Sequence, residues 1–130
     1  MEEPLPPAGP APLRAALVIE DSPVECMLAT AVLQKLGFSA LCVASAEQAL
    51  ERMASRRFDL AICDISLPGM DGLALLASMR AGSLAPPCII VSAHEDTRYA
   101  EAALAAGACA YLVKPLRLEA MRDALARLFP

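Results

Sequence analysis

The sequence predicts an α/β domain: a doubly wound parallel sheet of five strands covered by five helices. Three observations predict it. Mainly apolar segments too short for helices recur at residues 15–19, 39–43, 59–63, 88–91 and 109–113. Between them lie segments with helix caps and apolar residues three or four positions apart. The strands are also continuous apolar runs rather than alternating ones, as a sheet buried on both faces requires. Strands and helices in strict alternation at short spacing lead directly to a parallel sheet.

The elements follow in order. Residues 1–13 carry Pro4, Pro6, Pro7, Pro10 and Pro12 and are expected to be an extended, mobile lead-in without a catalytic role; the domain itself is residues 14–130. Residues 15–19 form the first strand, which ends in Glu20-Asp21. Ser22-Pro23 opens a helix with a capping hydroxyl and a proline in the first turn. Its expected stripe is Leu28, Ala29, Val32, Leu33 and Leu36, and Gly37 stops it. After the second strand, Ser45-Ala46-Glu47-Gln48 is a capping-box pattern for a helix to about residue 55.

The third strand ends at Asp64. Pro68-Gly69 supplies a turn, and Asp71 caps a third helix with Leu73, Leu76 and Met79 on one face. The fourth strand ends at Ser92-Ala93-His94, and a helix from about residue 95 to 105 stops at Gly107. The fifth strand closes at Lys114-Pro115. A last helix, about residues 117–128, carries Leu118, Met121, Leu125 and Leu128.

Composition narrows the function. The chain has 130 residues, enough for one domain with one core. Its net charge of −4 argues against a nucleic-acid surface. No apolar run reaches the roughly 18 residues of a membrane span. Glu2 and Glu3 stand where a secretory signal would have basic residues. Cys26, Cys42, Cys63, Cys88 and Cys109 are scattered singly, which argues against disulfides or zinc and for a reducing cytoplasm. Cys42, Cys63, Cys88 and Cys109 are expected to pack as small apolar side chains.

Right-handed crossovers place every strand's C-terminal end on one edge of the sheet, where ligands bind at the switch in strand order. That edge would gather Glu20, Asp21, Asp64, Ser92 and Lys114. An isolated Asp after a strand is most often just solvated, but this set changes the balance. Carboxylates held together need cations, and Lys114 supplies one charge. A few oxygen ligands suit Mg²⁺ as the second. The set fits phosphoryl transfer, where catalysis is mostly positioning and charge stabilisation.

Together, Glu20-Asp21, Asp64 with Pro68-Gly69-Met70-Asp71-Gly72, Ser92-Ala93 and Tyr111-Leu112-Val113-Lys114-Pro115 closely resemble the receiver domain of bacterial two-component response regulators. The likeness covers residues 14–130. It implies a flavodoxin-like receiver fold with strand order 2-1-3-4-5. Asp64 would be the phosphoacceptor, taking a phosphoryl group from a phosphohistidine on a sensor histidine kinase or phosphotransfer protein. Asp21, Asp64 and the backbone carbonyl of Ser66 would ligate Mg²⁺, with Glu20 assisting through a water. Lys114 and Ser92 would each meet a phosphoryl oxygen, and small Ala93 would leave room for the group. Tyr111 would be the aromatic switch, moving with Ser92. The Lys114-Pro115 bond would be cis. Ser66 and His94 would line the path of the hydrolytic water and tune the phosphate's lifetime.

The family resemblance also implies a helix 4–strand 5–helix 5 face open to an output domain, an effector or a second copy of the chain. Tyr99 is expected to be exposed on that face. The chain closes soon after its last helix, so no output domain is expected within it. Two other readings compete. A haloacid-dehalogenase-type phosphatase uses a similar set, but it needs a second Asp where Ser66 stands. A structural receiver that only docks partners typically lacks an acid or the lysine, and this chain has them all.

Overall fold

The computed structural model describes residues 14–67, 69–82 and 85–129. The expectations for residues 1–13 and Pro68 lie outside these. The strands are β1 (Arg14–Ile19), β2 (Phe38–Val43), β3 (Leu60–Asp64), β4 (Cys88–Ser92) and β5 (Ala110–Val113). The helices are α1 (Pro23–Lys35), α2 (Ala46–Ser55), α3 (Gly72–Arg80), α4 (Thr97–Ala105) and α5 (Leu118–Leu128). All strand pairs are parallel, in the order β2-β1-β3-β4-β5. The order reverses between β1 and β3, where Ile19 pairs with Cys63.

The caps work as the sequence suggests. Ser22, Ser45 and Asp71 accept from the N–H groups of Glu25, Gln48 and Ala74. Gln48 reaches back to the N–H of Ala44 (2.8 Å), one residue before the cap. Gly37, Gly69 and Gly107 have positive φ, which places glycine where other residues would be strained. Helix α4 starts at Thr97, with Asp96 as its cap, slightly later than the sequence suggested.

Two apolar layers cover the sheet. Leu17, Ile19, Ala61, Cys63, Cys88 and Ile90 point into one, against Ala46, Leu75, Leu76 and Met79. Ala16, Val18, Leu60, Ile62, Ile89 and Val91 point into the other, against Val32, Leu33, Met121 and Leu125. Period-two alternation then carries Glu20, Asp64 and Lys114 onto the side of the sheet that α1 and α5 cover.

Two expectations are corrected. Leu28 is exposed rather than part of the α1 stripe; Ala29, Val32 and Leu33 are the residues α1 buries on the sheet, with half-buried Leu36 packed beside them as expected. Cys109 is exposed, since it precedes the edge strand β5, and β5 itself is only half-buried. Cys63 and Cys88 are buried in the core as expected, and Cys42, half-buried on the other edge strand, β2, packs against the core layer. Among the described residues no helix is long and apolar enough to cross a membrane.

Candidate functional site

The site lies where β1 and β3 end side by side at the switch in strand order. A carboxylate oxygen from each of Glu20, Asp21 and Asp64 lies within 4.8 Å of the others. Glu20 is 7% exposed and Asp64 8%. The loop backbone helps hold both: the N–H of Ser22 donates to Glu20 Oε2 (3.1 Å), and the N–H of Ser66 donates to Asp64 Oδ1 (3.2 Å). The Ser66 side chain itself is exposed. Gly72, the first residue of α3, is pressed against the carbonyl of Asp64 and fixes where β3 stops.

Lys114 crosses from β5 to meet these acids, 94 positions after Glu20. Its Nζ lies 3.0 Å from Glu20 Oε1 and 3.5 Å from Asp64 Oδ2, and it also pairs with Glu25 Oε1 of α1. The Lys114–Pro115 peptide is cis.

Electrostatics follow from this crowding. Burial disfavours the Lys114 ammonium, but its hydrogen bonds to Glu25 and Glu20 and the charges of Asp64 and Glu20 outweigh that, so its pKa rises. Lys114 stays charged. Burial lifts the Glu20 carboxyl above the usual carboxylate range, against the pull of Lys114 and Ser22 and with Asp64's repulsion adding to it. The carboxylates are thus under-compensated by the single ammonium.

The donor set fits a hard divalent cation. All three clustered side chains offer oxygen, Glu20 and Asp64 are buried, and their excess negative charge calls for a second cation.

The other expected site residues form a relay beside the acids. Ser92 is fully buried, and its Oγ accepts from the N–H of His94 (3.0 Å). The hydroxyl of half-buried Tyr111 donates to the carbonyl of His94 (2.8 Å). The His94 backbone therefore links Ser92 to Tyr111. The His94 ring itself stacks on Tyr99 of α4, with centroids 4.1 Å apart. Tyr99 is exposed, as expected.

Sequence reasoning missed two features. Glu25 reaches Lys114, yet in the sequence it reads only as a first-turn acid that favours a helix N-terminus. A cleft of about 400 Å³ also opens beside Asp64, walled by Val24, Leu28, Pro115 and Leu116. The sequence signal for it was slight: Val24 and Leu28, four positions apart on α1, which line the cleft but fit the pattern of an ordinary apolar stripe.

Comparison with known proteins decides the family. The profile of the response regulator receiver domain matches residues 16–126. The chain belongs to that family. This receiver is 36% identical over 109 residues to the transcriptional regulatory protein ZraR of Escherichia coli O157:H7, covering 84% of the chain and 25% of ZraR. It is also 36% identical over 116 residues to the sensory/regulatory protein RpfC of Xanthomonas campestris, covering 86% of the chain and 16% of RpfC. The receiver thus spans a quarter or less of these relatives.

Among solved structures it resembles the chemotaxis response regulator CheY4 of Vibrio cholerae (TM-score 0.82, 25% identity, 90% of this chain and 99% of that one). It also resembles the receiver domain of the sensor histidine kinase PA1611 of Pseudomonas aeruginosa (TM-score 0.80, 30% identity, 88% and 96%), which was solved with magnesium in its active-site cleft. The flavodoxin-like receiver fold expected from the sequence is the observed one.

Proposed function

We propose that this receiver accepts a phosphoryl group on Asp64 from a phosphohistidine of a sensor histidine kinase or phosphotransfer protein, and that the modified state alters its partner-binding surface. The observation that carries this reading is the buried Asp64 beside two further acids and one lysine at the switch in strand order. In the transfer, an Asp64 oxygen attacks phosphorus, the bond from phosphorus to the donor nitrogen breaks, and its electron pair leaves with the imidazole. Lys114 neutralises charge on the moving group's oxygens.

Glu20, Asp21, Asp64 and the carbonyl of Ser66 would hold Mg²⁺, which supplies charge neutralisation at the phosphoryl oxygens. The magnesium bound in the PA1611 receiver supports this assignment. Ser92 meets a phosphoryl oxygen by turning from His94, and the His94 backbone passes that release to Tyr111. Tyr99, Tyr111 and Val113 then belong to the face that an effector, an output domain or a second copy would read. Ser66 and His94 set how long the phosphate lasts. The domain processes only its own phosphate, turns over no external metabolite, and works in the bacterial cytoplasm.

The protein donor docks on α1 and the cleft beside it, where Val24 and Met27 are 73% and 72% exposed and Leu28 is exposed as well. Exposed apolar side chains grouped next to a reactive carboxylate mark a contact surface. Met27→Glu is therefore expected to slow transfer from a phosphorylated histidine phosphotransfer protein by about tenfold, the effect of removing roughly 1.4 kcal/mol of contact. Labelling by acetyl phosphate, which needs no docking face, stays at the wild-type rate. Equal rates with the protein donor would remove α1 from the docking surface. Failure of wild-type Asp64 to take label from any phosphohistidine donor would contradict the functional reading.

A further inference from the structure

The site holds one carboxylate more than its proposed chemistry uses. Glu25, on the first turn of α1, pairs with Lys114 but contributes no oxygen to the cluster of Glu20, Asp21 and Asp64. Its Oε1 is buried, and among the described residues it meets no donor other than Lys114. The ammonium has three N–H groups. Glu20, Asp64 and Glu25 surround it, and its contact to Asp64, 3.5 Å, is longer than that to Glu20, 3.0 Å. Lys114 is therefore held toward Glu20 and Glu25, off the acid that reacts.

We propose that Glu25 is a positioning residue that occupies a donor of Lys114 and so restrains the rate at which Asp64 takes a phosphoryl group. This rests on the receiver reading given above. Glu20 and Asp64 also belong to the carboxylate cluster, so a cation there weakens their hold on Lys114. Glu25 lies outside the cluster and keeps its grip. An incoming phosphoryl group must then compete with Glu25 for the ammonium. With acetyl phosphate as donor, an Asp64 oxygen bonds to phosphorus, the bond from phosphorus to the acetyl oxygen breaks, and the electron pair departs with acetate. The phosphoryl oxygens need Lys114 as that happens. Glu25 delays its arrival.

Two variants separate this contact from simple charge repulsion of an anionic donor. Glu25→Gln removes both the charge and the charged contact. Glu25→Asp keeps the charge but falls one methylene short of Lys114. Both are expected to raise the rate of phosphorylation by acetyl phosphate in Mg²⁺ by about two- to fivefold, the range a partly exposed ion pair spans. In the cation-free protein, the Nζ ammonium signal of Lys114 in ¹⁵N NMR is expected to be sharp in wild type and weakened in both variants. Mg²⁺ affinity stays within about twofold of wild type, because Glu25 is no ligand.

An Asp variant as slow as wild type beside a faster Gln variant would assign the effect to charge and overturn the proposal. So would unchanged or slower rates in both variants, or an Nζ signal indifferent to them. A wild-type chain that takes no phosphoryl group at all would sink the functional reading and this proposal with it. Failure of the variants alone, with wild type labelled, overturns only the role of Glu25.

Discussion

Lys114→Met is expected to destabilise the cation-free protein by about 2–3 kcal/mol near neutral pH, because it leaves buried acids without their compensating charge. The ammonium meets Glu20, Glu25 and Asp64, and Glu20 and Asp64 have almost no access to water. The long Met side chain keeps most of the apolar stem, so the loss reports charge rather than packing. Urea unfolding at matched pH measures it.

The pH dependence has a definite sign. The folded-state pKa of Glu20 is already raised above its ordinary 4.5, chiefly by burial. The folded protein therefore binds this proton more readily than the unfolded chain, and stability falls as pH rises through the folded pKa. Removing Lys114 raises that pKa further, so the fall moves toward neutral pH. The variant should recover stability on mild acidification, and again on addition of Mg²⁺. A deficit that neither acid nor Mg²⁺ relieves would show that lost packing, not charge, is the cause. Acetyl phosphate labelling of the variant is expected to fall by about a hundredfold or more, the scale of losing one preorganised charge at a transition state.

Gly72→Ala is expected to cost about 2–3 kcal/mol, at the upper end of ordinary overpacking, because the obstacles are backbone atoms that cannot swing aside. A Cβ at this position would lie 2.7 Å from the carbonyl oxygen of Asp64 and 2.8 Å from the Cα of Ile65. The N–H of Gly72 also donates to the carbonyl of Ile65 (3.0 Å), so helix and strand cannot part without losing that bond. The relief the structure can find is to push the end of β3 away, which moves Asp64 relative to Glu20 and Lys114. Phosphorylation should therefore slow along with the loss of stability. Gly82→Ala is the control: its nearest neighbour would be the Met79 carbonyl at 3.5 Å, an ordinary contact, and it is expected to stay within about 0.5 kcal/mol of wild type. Equal urea midpoints for the two variants would contradict this account of Gly72.

The sheet and its acidic edge were legible because a polar residue punctuates each central apolar run. Glu20 follows Ile19, Asp64 follows Cys63, and Ser92 follows Val91, so the strand ends and the chemistry share one signal. Period-two alternation would even have placed Glu20, Asp64 and Lys114 on one face. Edge effects were harder to read. Cys109 and the β5 residues look like a core strand in sequence, yet β5 has a neighbour on one side only. Leu28 fits a helical stripe by spacing, but α1 meets the sheet with Ala29, Val32, Leu33 and Leu36, and Leu28 falls outside that face. Glu25 was invisible for another reason. Its partner lies on the last strand's exit, and nothing local distinguishes an acid that caps a helix from one that reaches a distant lysine. The stack of His94 on Tyr99 is likewise a matter of how the loop after β4 turns.

Asp64 as the phosphoacceptor is checked by intact mass after incubation with acetyl phosphate, with and without Mg²⁺, on wild type and Asp64→Asn. Asparagine keeps the size of the side chain and an oxygen for the Ser66 N–H while removing the nucleophilic carboxylate. The expected result is one added phosphoryl group on the wild type, dependent on Mg²⁺ and absent from the variant. A wild type that stays unmodified, or an Asp64→Asn variant that gains the same mass, would contradict it.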